Sequence, residues 1–453
     1  MTRSLPALLL LLLATRTLPA ANLEFPYTMF KLPNGLTVVV HEDHSLPIVT
    51  VNTWYHVGSA RERPGKTGFA HLFEHIMFEG SKDVPKGDFD QWLEAVGGDN
   101  NASTNADRTN YYEDAPSSAL ELPLFLESDR MAYLVDAMSK EKVDAQRDVV
   151  KNERRQSYEN QPYGLSEIAI REALYPKDHP YHWPTIGSME DLTAASYEDV
   201  VDFFRSYYGP ANASVVIAGD VDEKKARALA EKWFGDVPRS APVSPLPPRP
   251  VGLDSEKRIV LEDRVQLPRL YMTWPTPPAL SPADAALTSL ADVLGLGKNS
   301  RLYKKLVYEL QIAQDVTVSE DSEALCSSFG IIATARTGHS LEELRKAIDE
   351  EVARLQEAPP SPHEVERVVA EHTSGFLFGL ERVGGFGGLA DQMNAYLVAT
   401  GDPDYFAEDL ARFTALSPSD LQAAAQTFLG RGRVLLSVVP AGHAELALSG
   451  GAP

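Results

Sequence analysis

The chain contains an internal repeat, which predicts two similar folding units. The segments "HEDHSLPIVTVNTW" (41–54) and "LEDRVQLPRLYMTW" (261–274) share Glu-Asp, Leu-Pro and Thr-Trp in the same order. Later in each half, "SVVIAG" (214–219) matches "SVVPAG" (437–442), and both follow a segment with helical spacing of apolar residues. Two matches that occur in order and at nearly the same offset favour a duplicated domain over chance similarity.

A proline-rich segment separates the two halves. "VPRSAPVSPLPPRPVG" (237–252) holds six prolines, which are poorly tolerated inside helices and sheets, so it predicts an extended, semi-rigid linker. We therefore expect an N-terminal domain at residues 22–236, a linker at 237–256 and a C-terminal domain at 257–453. The chain length of 453 residues is consistent with more than one domain.

Strand and helix patterns are interleaved within each half. "LPNGLTVVVHED" (32–43) carries an Asn-Gly turn before a β-branched run, which predicts a hairpin. "YEDVVDFFRSYY" (197–208) and "LEELRKAIDEEVARLQEA" (341–358) have helical spacing of apolar residues. The order lacks the strict alternation of a doubly wound parallel sheet. It favours an α+β fold of two homologous domains, each a mainly antiparallel sheet backed by helices.

The N-terminal residues have the layout of a secretory signal peptide. Arg3 supplies a basic start, a leucine-rich run extends over residues 8–13, and small residues follow at Ala20 and Ala21. The apolar run is too short to span a bilayer. We expect residues 1–21 to be a signal peptide cleaved near Ala20 or Ala21, and the protein to be exported to the periplasm or secreted. No later segment predicts membrane insertion.

Charge and cysteine content exclude some classes of function. The formal net charge is −22, and such a surface repels nucleic acid and anionic membranes. Cys326 is the only cysteine, so no internal disulfide can form, and a small buried residue is the favoured interpretation of it.

One apolar segment carries three chemically reactive side chains. In "GFAHLFEHIMFEGS" (68–81), His71 and His75 are four residues apart, and Glu74 precedes the second histidine. On a helix the histidines share a face, with Cβ atoms about 5–6 Å apart, so both imidazoles can bind one tetrahedral cation. Glu74 lies beside that face, placed to contact a water on the metal. The alternative is three side chains hydrogen-bonded to the backbone, but burying such groups unpaired is costly, and their combination favours a metal site.

The same five residues resemble a known peptidase signature. His71-Leu72-Phe73-Glu74-His75 is similar to the inverted zinc motif of the pitrilysin-like (M16, inverzincin) metallopeptidases, the family of insulin-degrading enzyme and the mitochondrial processing peptidase. The resemblance covers nearly all of the chain after the leader. It implies paired α+β domains forming one half of a clamshell that closes around a peptide. It also implies one Zn²⁺ per chain and hydrolysis of peptide bonds, with Glu74 as the general base.

The resemblance also implies a third zinc ligand. From the residues alone, any acidic side chain on a nearby helix would serve; the family's pattern selects Glu153 in "DAQRDVVKNERRQSYEN" (144–160). Many members carry another glutamate seven residues earlier, where this chain has Gln146. A glutamine there can hydrogen-bond beside the metal site but adds no charge.

A polar segment after the histidines predicts where a peptide binds. "GGDNNASTNADRTNYYEDAP" (97–116) is similar to the family's sheet-edge strand, on which substrate is held by strand addition. The matching positions are Asn101, Ala102, Ser103 and Thr104. On sequence alone, an Asn-, Gly- and Asp-rich surface loop is an equal alternative.

The second half departs from the family's pattern at one place. "NSRLYKKLVYELQIAQDV" (299–316) resembles a segment in which an arginine and a tyrosine contact substrate, but those positions hold Val307 and Gln314. We therefore expect a homo- or heterodimer with another M16-type chain. The leading hypothesis is a zinc endopeptidase acting on peptides or unfolded polypeptide segments. The alternative is a subunit of a heteromeric peptidase, or a non-catalytic polypeptide-binding clamshell, that needs a partner to supply the missing pair.

A glycine-rich run, "ERVGGFGGLADQ" (381–392), also stands out in the second half. It lacks the preceding strand and the Lys-Ser/Thr ending of a phosphate-binding loop. A flexible or closely packed turn is the favoured interpretation.

Overall fold

The computed structural model describes residues 23–450. The expected signal peptide, residues 1–21, lies outside the described residues. No helix in the described part of the chain is both long and apolar enough to cross a membrane.

The first half of the chain forms a six-stranded sheet in the order β1-β2-β6-β3-β5-β4. All neighbouring strands are antiparallel except the parallel pair β2–β6. The strands are β1 (Thr28–Lys31), β2 (Thr37–Glu42), β3 (Ile48–Tyr55), β4 (Asp99–Thr104), β5 (Thr109–Pro116) and β6 (Ala213–Gly219).

The predicted hairpin is present as β1 and β2. Gly35 has φ 105°, a left-handed conformation that favours glycine. The side-chain oxygen of Asn34 accepts a hydrogen bond from the backbone NH of Leu36 (3.2 Å), while its amide donates to the carbonyl of Phe234 (2.7 Å). The turn therefore closes the hairpin and also ties it to a later helix.

Helices cover one face of this sheet and bury its alternating apolar residues. Val38, Val51 and Tyr55 of the sheet pack with Leu72 and Phe73 in one buried core. The helices of the first half are α1 (Phe69–Ile76), α2 (Asp88–Ala95), α3 (Glu121–Ala137), α4 (Lys140–Arg154), α5 (Ser166–Leu174), α6 (Met189–Ala194), α7 (Tyr197–Tyr207) and α8 (Glu223–Phe234).

The second half forms a five-stranded sheet in the order β7-β11-β8-β10-β9. Only β7 and β11 are parallel. The strands are β7 (Lys257–Asp263), β8 (Arg269–Thr276), β9 (Ala313–Asp321), β10 (Ser327–Ala335) and β11 (Val434–Pro440). The helices are α9 (Asp284–Gly295), α10 (Leu341–Glu357), α11 (Pro362–Leu380), α12 (Leu389–Thr400), α13 (Phe406–Thr414) and α14 (Pro418–Phe428).

The two sheets share one topology. The order β2-β6-β3-β5-β4 in the first corresponds strand for strand to β7-β11-β8-β10-β9 in the second, and the parallel pair occupies the same place in both. The α+β fold and the mainly antiparallel sheets are thus confirmed, with one parallel pair in each. Residues 238–256, between α8 and β7, contain no helix or strand, whereas the domain boundaries themselves stay a prediction.

Each half contributes a helix to the other half's sheet. Helix α12 packs its residues Ala390 and Met393 on Val39 and Val216 of the first sheet. Reciprocally, Ile170 of α5 packs against the second sheet. The face of the first sheet opposite α1 is therefore covered from the second half of the chain.

Candidate active site

The helix that carries both histidines begins at a position that requires glycine. Gly68 precedes α1 with φ 90°, and a Cβ atom there would lie 2.9 Å from the carbonyl oxygen of Ile186. No side chain within the helix caps its first turn. Instead, buried Glu62 accepts hydrogen bonds from the backbone NH groups of Gly68 (2.9 Å) and Ala70 (2.8 Å). Burial raises the pKa of Glu62 to about 8, and these backbone hydrogen bonds oppose that shift. They anchor α1 just before His71.

His71 and His75 share one face of α1, as the four-residue spacing predicts. Their ring centroids are 4.8 Å apart and the rings are nearly perpendicular, at 82°. The side chain of His71 is only 13% exposed, and burial lowers its pKa to about 4. A neutral imidazole keeps a nitrogen lone pair available for a metal.

Helix α4 brings Glu153 to the two histidines. Its Oε1 lies 3.7 Å from Nε2 of His71, and its Oε2 lies 3.3 Å from Nε2 of His75. A hydrogen bond with His75 lowers the pKa of Glu153, against the opposing effect of its partial burial. The three side chains form a cluster in which one donor atom from each lies within 4.8 Å of the others.

This donor set fits a zinc ion. Donor atoms at about 2.0–2.1 Å from a tetrahedral zinc are separated by about 3.3 Å, close to both distances measured here. Two imidazoles and one carboxylate also match the composition of catalytic zinc sites, which leave one coordination position for water or substrate.

Glu74 lies between the histidine face and strand β4. Burial raises the pKa of its carboxyl, and a hydrogen bond with Thr104 opposes that shift. Arg108 acts on the same carboxyl electrostatically. A glutamate with a raised pKa beside such a cluster of donor atoms is suited to accept a proton and release it again.

Strand β4 contains the four residues predicted to bind peptide and forms an edge of the first sheet. It pairs with β5 alone among the described strands. Ala102 packs against the core on the α1 side, whereas the hydroxyl of Ser103 donates to Asn110 (2.6 Å) on the opposite face. Asn101 lies opposite Tyr112 in the register. The segment is thus an edge strand, and the surface-loop alternative is wrong.

Gln146 interacts with a carboxylate that sequence reasoning missed. Its amide Nε2 donates to Oε1 of buried Glu79 (2.6 Å), and Lys86 donates to Oε2 of the same residue (2.7 Å). A negative charge therefore lies beside Gln146, although the chain lacks one at position 146 itself. Glu79 follows the histidine motif by four residues, but its spacing alone does not reveal this pairing.

Val307 and Gln314, which occupy the positions of the family's arginine and tyrosine, lie in the second half of the chain. Val307 packs against the core of the second sheet, and Gln314 is exposed at the beginning of β9. Neither belongs to the described cluster of His71, His75 and Glu153.

The glycine-rich run is a closely packed turn, one of the two forms expected. Residues 381–388 of the run precede α12 and lie against β5, where a Cβ at Gly384 would come within 1.8 Å of Oδ1 of Asp114. Phe386, within the glycine-rich run, makes an edge contact with Tyr112, with ring centroids 5.0 Å apart.

Arg108 and Asp391 are two further residues at this site that sequence reasoning missed. Arg108 follows a tight turn in which Oδ1 of Asn105 accepts from the backbone NH groups of residues 107 and 108. This turn, which the Asn105 side chain stabilises, positions Arg108 alongside β4. No local signal identifies Asp391, because it reaches the first sheet from the second half.

The chain is similar to known proteins over most of its length. A family model described as insulinase (peptidase family M16) matches residues 37–179, and one described as the peptidase M16 inactive domain matches residues 194–371. The zinc protease PqqE of Helicobacter pylori is 30% identical over 402 residues, which cover 88% of this chain and 89% of that protein. The beta subunit of the mitochondrial-processing peptidase of Blastocladiella emersonii is 25% identical, over 84% of this chain and 82% of its own.

Solved structures show the same fold. The crystal structure of a protease from Helicobacter pylori superposes with a TM-score of 0.85 at 27% identity, covering 92% of this chain and all of that one. The first half of the periplasmic protease PqqL from Escherichia coli gives a TM-score of 0.72 at 19% identity, covering 93% and 94% of the two chains. Together with the family models, these similarities show that the chain belongs to the M16 peptidase family.

Proposed function

We propose that the protein is a zinc-dependent endopeptidase that hydrolyses peptides or unfolded polypeptide segments. The observation that carries this proposal is the convergence of His71, His75 and Glu153 beside Glu74 and an edge strand. Its relatives include proteins named zinc proteases, which supports the same metal and reaction.

His71, His75 and Glu153 would hold one zinc ion. When bound, zinc supplies Lewis acidity, which acidifies water and polarises a scissile carbonyl. The carboxylate of Glu74 would take a proton from the attacking water and transfer it to the nitrogen of the leaving amine. Burial favours the protonated form of Glu74, so the residue can hold that proton between the two transfers.

Strand β4 would position the substrate. Its outer edge presents backbone NH and C=O groups that a peptide can pair with by strand addition. Pairing along Asn101, Ala102, Ser103 and Thr104 would bring the peptide past Glu74, because Thr104 is in contact with that carboxyl. Backbone pairing depends weakly on side chains, which suits a peptidase of extended or unfolded segments.

We further propose that a second M16-type chain, identical or related, completes the site. Val307 and Gln314 lack the guanidinium and phenol that the family's pattern carries at these positions. A non-catalytic, polypeptide-binding subunit is the alternative, and the presence of Glu74 beside the cluster of His71, His75 and Glu153 favours an enzyme. The basic, apolar and small-residue order of residues 1–21 supports export to the periplasm or beyond.

Peptide cleavage by the purified chain tests the proposal. Zinc content and hydrolysis of a quenched fluorescent peptide would be measured with and without a chelator, and again after zinc is added back. We expect cleavage that disappears on chelation, returns with zinc and is absent from Glu74→Gln. A zinc-loaded chain that binds peptides but cleaves none, alone or with a related chain, would favour the non-catalytic alternative.

A further inference from the structure

Helix α12 places the carboxylate of Asp391, which can only accept hydrogen bonds, on the face of the first sheet opposite α1. Asp391 is buried, and its Oδ1 accepts hydrogen bonds from Nε1 of Trp54 (2.8 Å), Nδ2 of Asn110 (2.7 Å) and Nδ2 of Asn52 (3.3 Å). Its Oδ2 accepts from the backbone NH of Gly387 (2.9 Å). Hydrogen bonds to a charged group are stronger than those between neutral groups, so the carboxylate fixes the side chains around it.

The carboxylate also determines how Asn110 is oriented. Because Asp391 can only accept, Asn110 directs its NH₂ group towards it, which leaves Oδ1 of Asn110 facing β4. That oxygen accepts the hydroxyl proton of Ser103 at 2.6 Å. Ser103 Oγ in turn accepts from Nη1 of Arg108 (2.6 Å), which also donates to the Ser103 carbonyl (2.8 Å). These hydrogen bonds form a series in which Arg108 donates to Ser103, Ser103 donates to Asn110, and Asn110 donates to Asp391.

The series ends next to the catalytic carboxyl. Ser103 directly precedes Thr104, which contacts Glu74. The Arg108 guanidinium lies over the ring of Trp54, 5.4 Å from its centroid. Burial lowers the pKa of Arg108, while Asp391 and Glu74 both favour its charged form. The second half of the chain is thereby connected to the strand on which a peptide would pair.

We propose that Asp391 is a positioning residue that sets strand β4 for peptide pairing through Asn110, Ser103 and Arg108. The second half of the chain would then be part of the active site, although it holds none of the proposed zinc ligands. An edge strand has a neighbour on one side only, so it gains most from such an anchor. The inference rests on the proposed peptidase function for its kinetic readout.

The chain offers a matched pair of serines for the test. The hydroxyl of Ser103 donates to Oδ1 of Asn110, and that of Ser214 donates to Oδ1 of Asn394, both at 2.6 Å. Both asparagines are fully buried. Ser214 lies on β6, inside the sheet, and Asn394 docks α12 without contacting β4. Ser214→Ala therefore removes a similar hydrogen bond, together with the 3.1 Å contact between Ser214 Oγ and Nε2 of His56. This branch reaches Asp391 through Asn394 and Asn52, not through Asn110 and β4.

The experiment compares zinc-loaded wild type, Asp391→Asn, Ser103→Ala and Ser214→Ala. We expect Asp391→Asn and Ser103→Ala each to raise KM for a peptide by about tenfold, the order expected when hydrogen bonds that hold β4 are lost, with kcat changed much less. Amide hydrogen exchange at residues 100–104 should accelerate by about the same factor. Zinc content should be unchanged, and Ser214→Ala should alter neither KM nor this exchange.

Two results would overturn the proposal. One is that KM and exchange at β4 stay at wild-type values in Ser103→Ala, which retains the α12 contacts even if Asp391→Asn does not fold. The other is that Ser214→Ala has the same effects as Ser103→Ala, since the series would then have no special role. If wild type cleaves no peptide, the proposed function fails, whereas the exchange measurement still decides whether Asp391 and Ser103 order β4.

Discussion

Nε2 of His75 lies 3.3 Å from Oε2 of Glu153, although the two residues belong to helices α1 and α4, far apart in the chain. An ion bound between them would join the two helices directly. Metal affinity, thermal stability and activity are therefore expected to depend on the same few side chains.

Glu74→Gln should separate metal binding from catalysis. The substitution keeps the shape of the side chain but removes the group that accepts a proton, and a general base contributes about 10²–10⁴-fold to rate. We expect the variant to retain zinc, measured by elemental analysis, and to lose peptide hydrolysis by a factor in that range. His71→Ala, as the comparison, should lose both. Wild-type turnover by Glu74→Gln would contradict the assignment of the base.

Glu153→Ala should weaken zinc binding. Loss of one of three protein donors lowers affinity, and a ligand at about 100 times its Kd stabilises the folded state by about 2.7 kcal/mol. Zinc added to the apo protein should therefore raise the Tm of wild type but not that of the variant, as measured by calorimetry. The control is Asp148→Ala on the same helix, whose side chain is 76% exposed and which should respond to zinc as wild type does. A full zinc response in Glu153→Ala would remove this residue from the proposed ligand set.

Gly68→Ala should destabilise the fold more than Gly65→Ala. Both glycines have positive φ, at 90° and 84°, so both substitutions introduce backbone strain of roughly 1–3 kcal/mol. A Cβ at Gly68 would also meet the Ile186 carbonyl oxygen at 2.9 Å, whereas nothing lies within 4 Å of a Cβ at Gly65. Chemical denaturation should show a larger loss for Gly68→Ala. Equal losses would mean that packing at the start of α1 is looser than described.

Glu320→Gln should remove a pH dependence of stability. Thr276 donates to Oε1 of Glu320 (2.5 Å), but the buried Oε2 has no partner among the described residues. Burial raises the pKa of Glu320 to about 8, against about 4.3 in an unfolded chain. Between these values the folded state keeps a proton that the unfolded state has released, so stability falls as pH rises. Denaturation curves should show the variant gaining stability relative to wild type towards pH about 8.

Glu364→Gln should have the opposite pH dependence. Arg301 donates to both oxygens of Glu364, at 2.7 and 2.9 Å, and these bonds lower its pKa to about 2. The stabilisation is present above the unfolded value of about 4.3 and is lost as pH falls towards 2. The variant should be less stable than wild type at neutral pH, with the difference shrinking in acid. A constant difference across pH would show that the ion pair does not set this titration.

Features that depend on neighbouring residues were predictable from the sequence. The Asn34-Gly35 turn and the β-branched run after it specify the first hairpin, because turn conformation is determined locally. The spacing of His71 and His75 specifies a shared helical face, since helix geometry places residues four apart together. The repeated segments predicted two similar units, and the two sheets do share one strand order.

Features that depend on how distant elements pack required the tertiary structure. The sequence does not show that α12 covers the other half's sheet or that Asp391 reaches Asn110. Glu62 caps α1 from a preceding loop, with no motif to announce it. Glu153 could be selected only by family resemblance, because many acidic residues occupy helices and only the docking of α4 beside α1 brings this one to the histidines. Local sequence determines the shape of each element and the face it buries, whereas the choice of partner for that face is made by the packing of the whole chain.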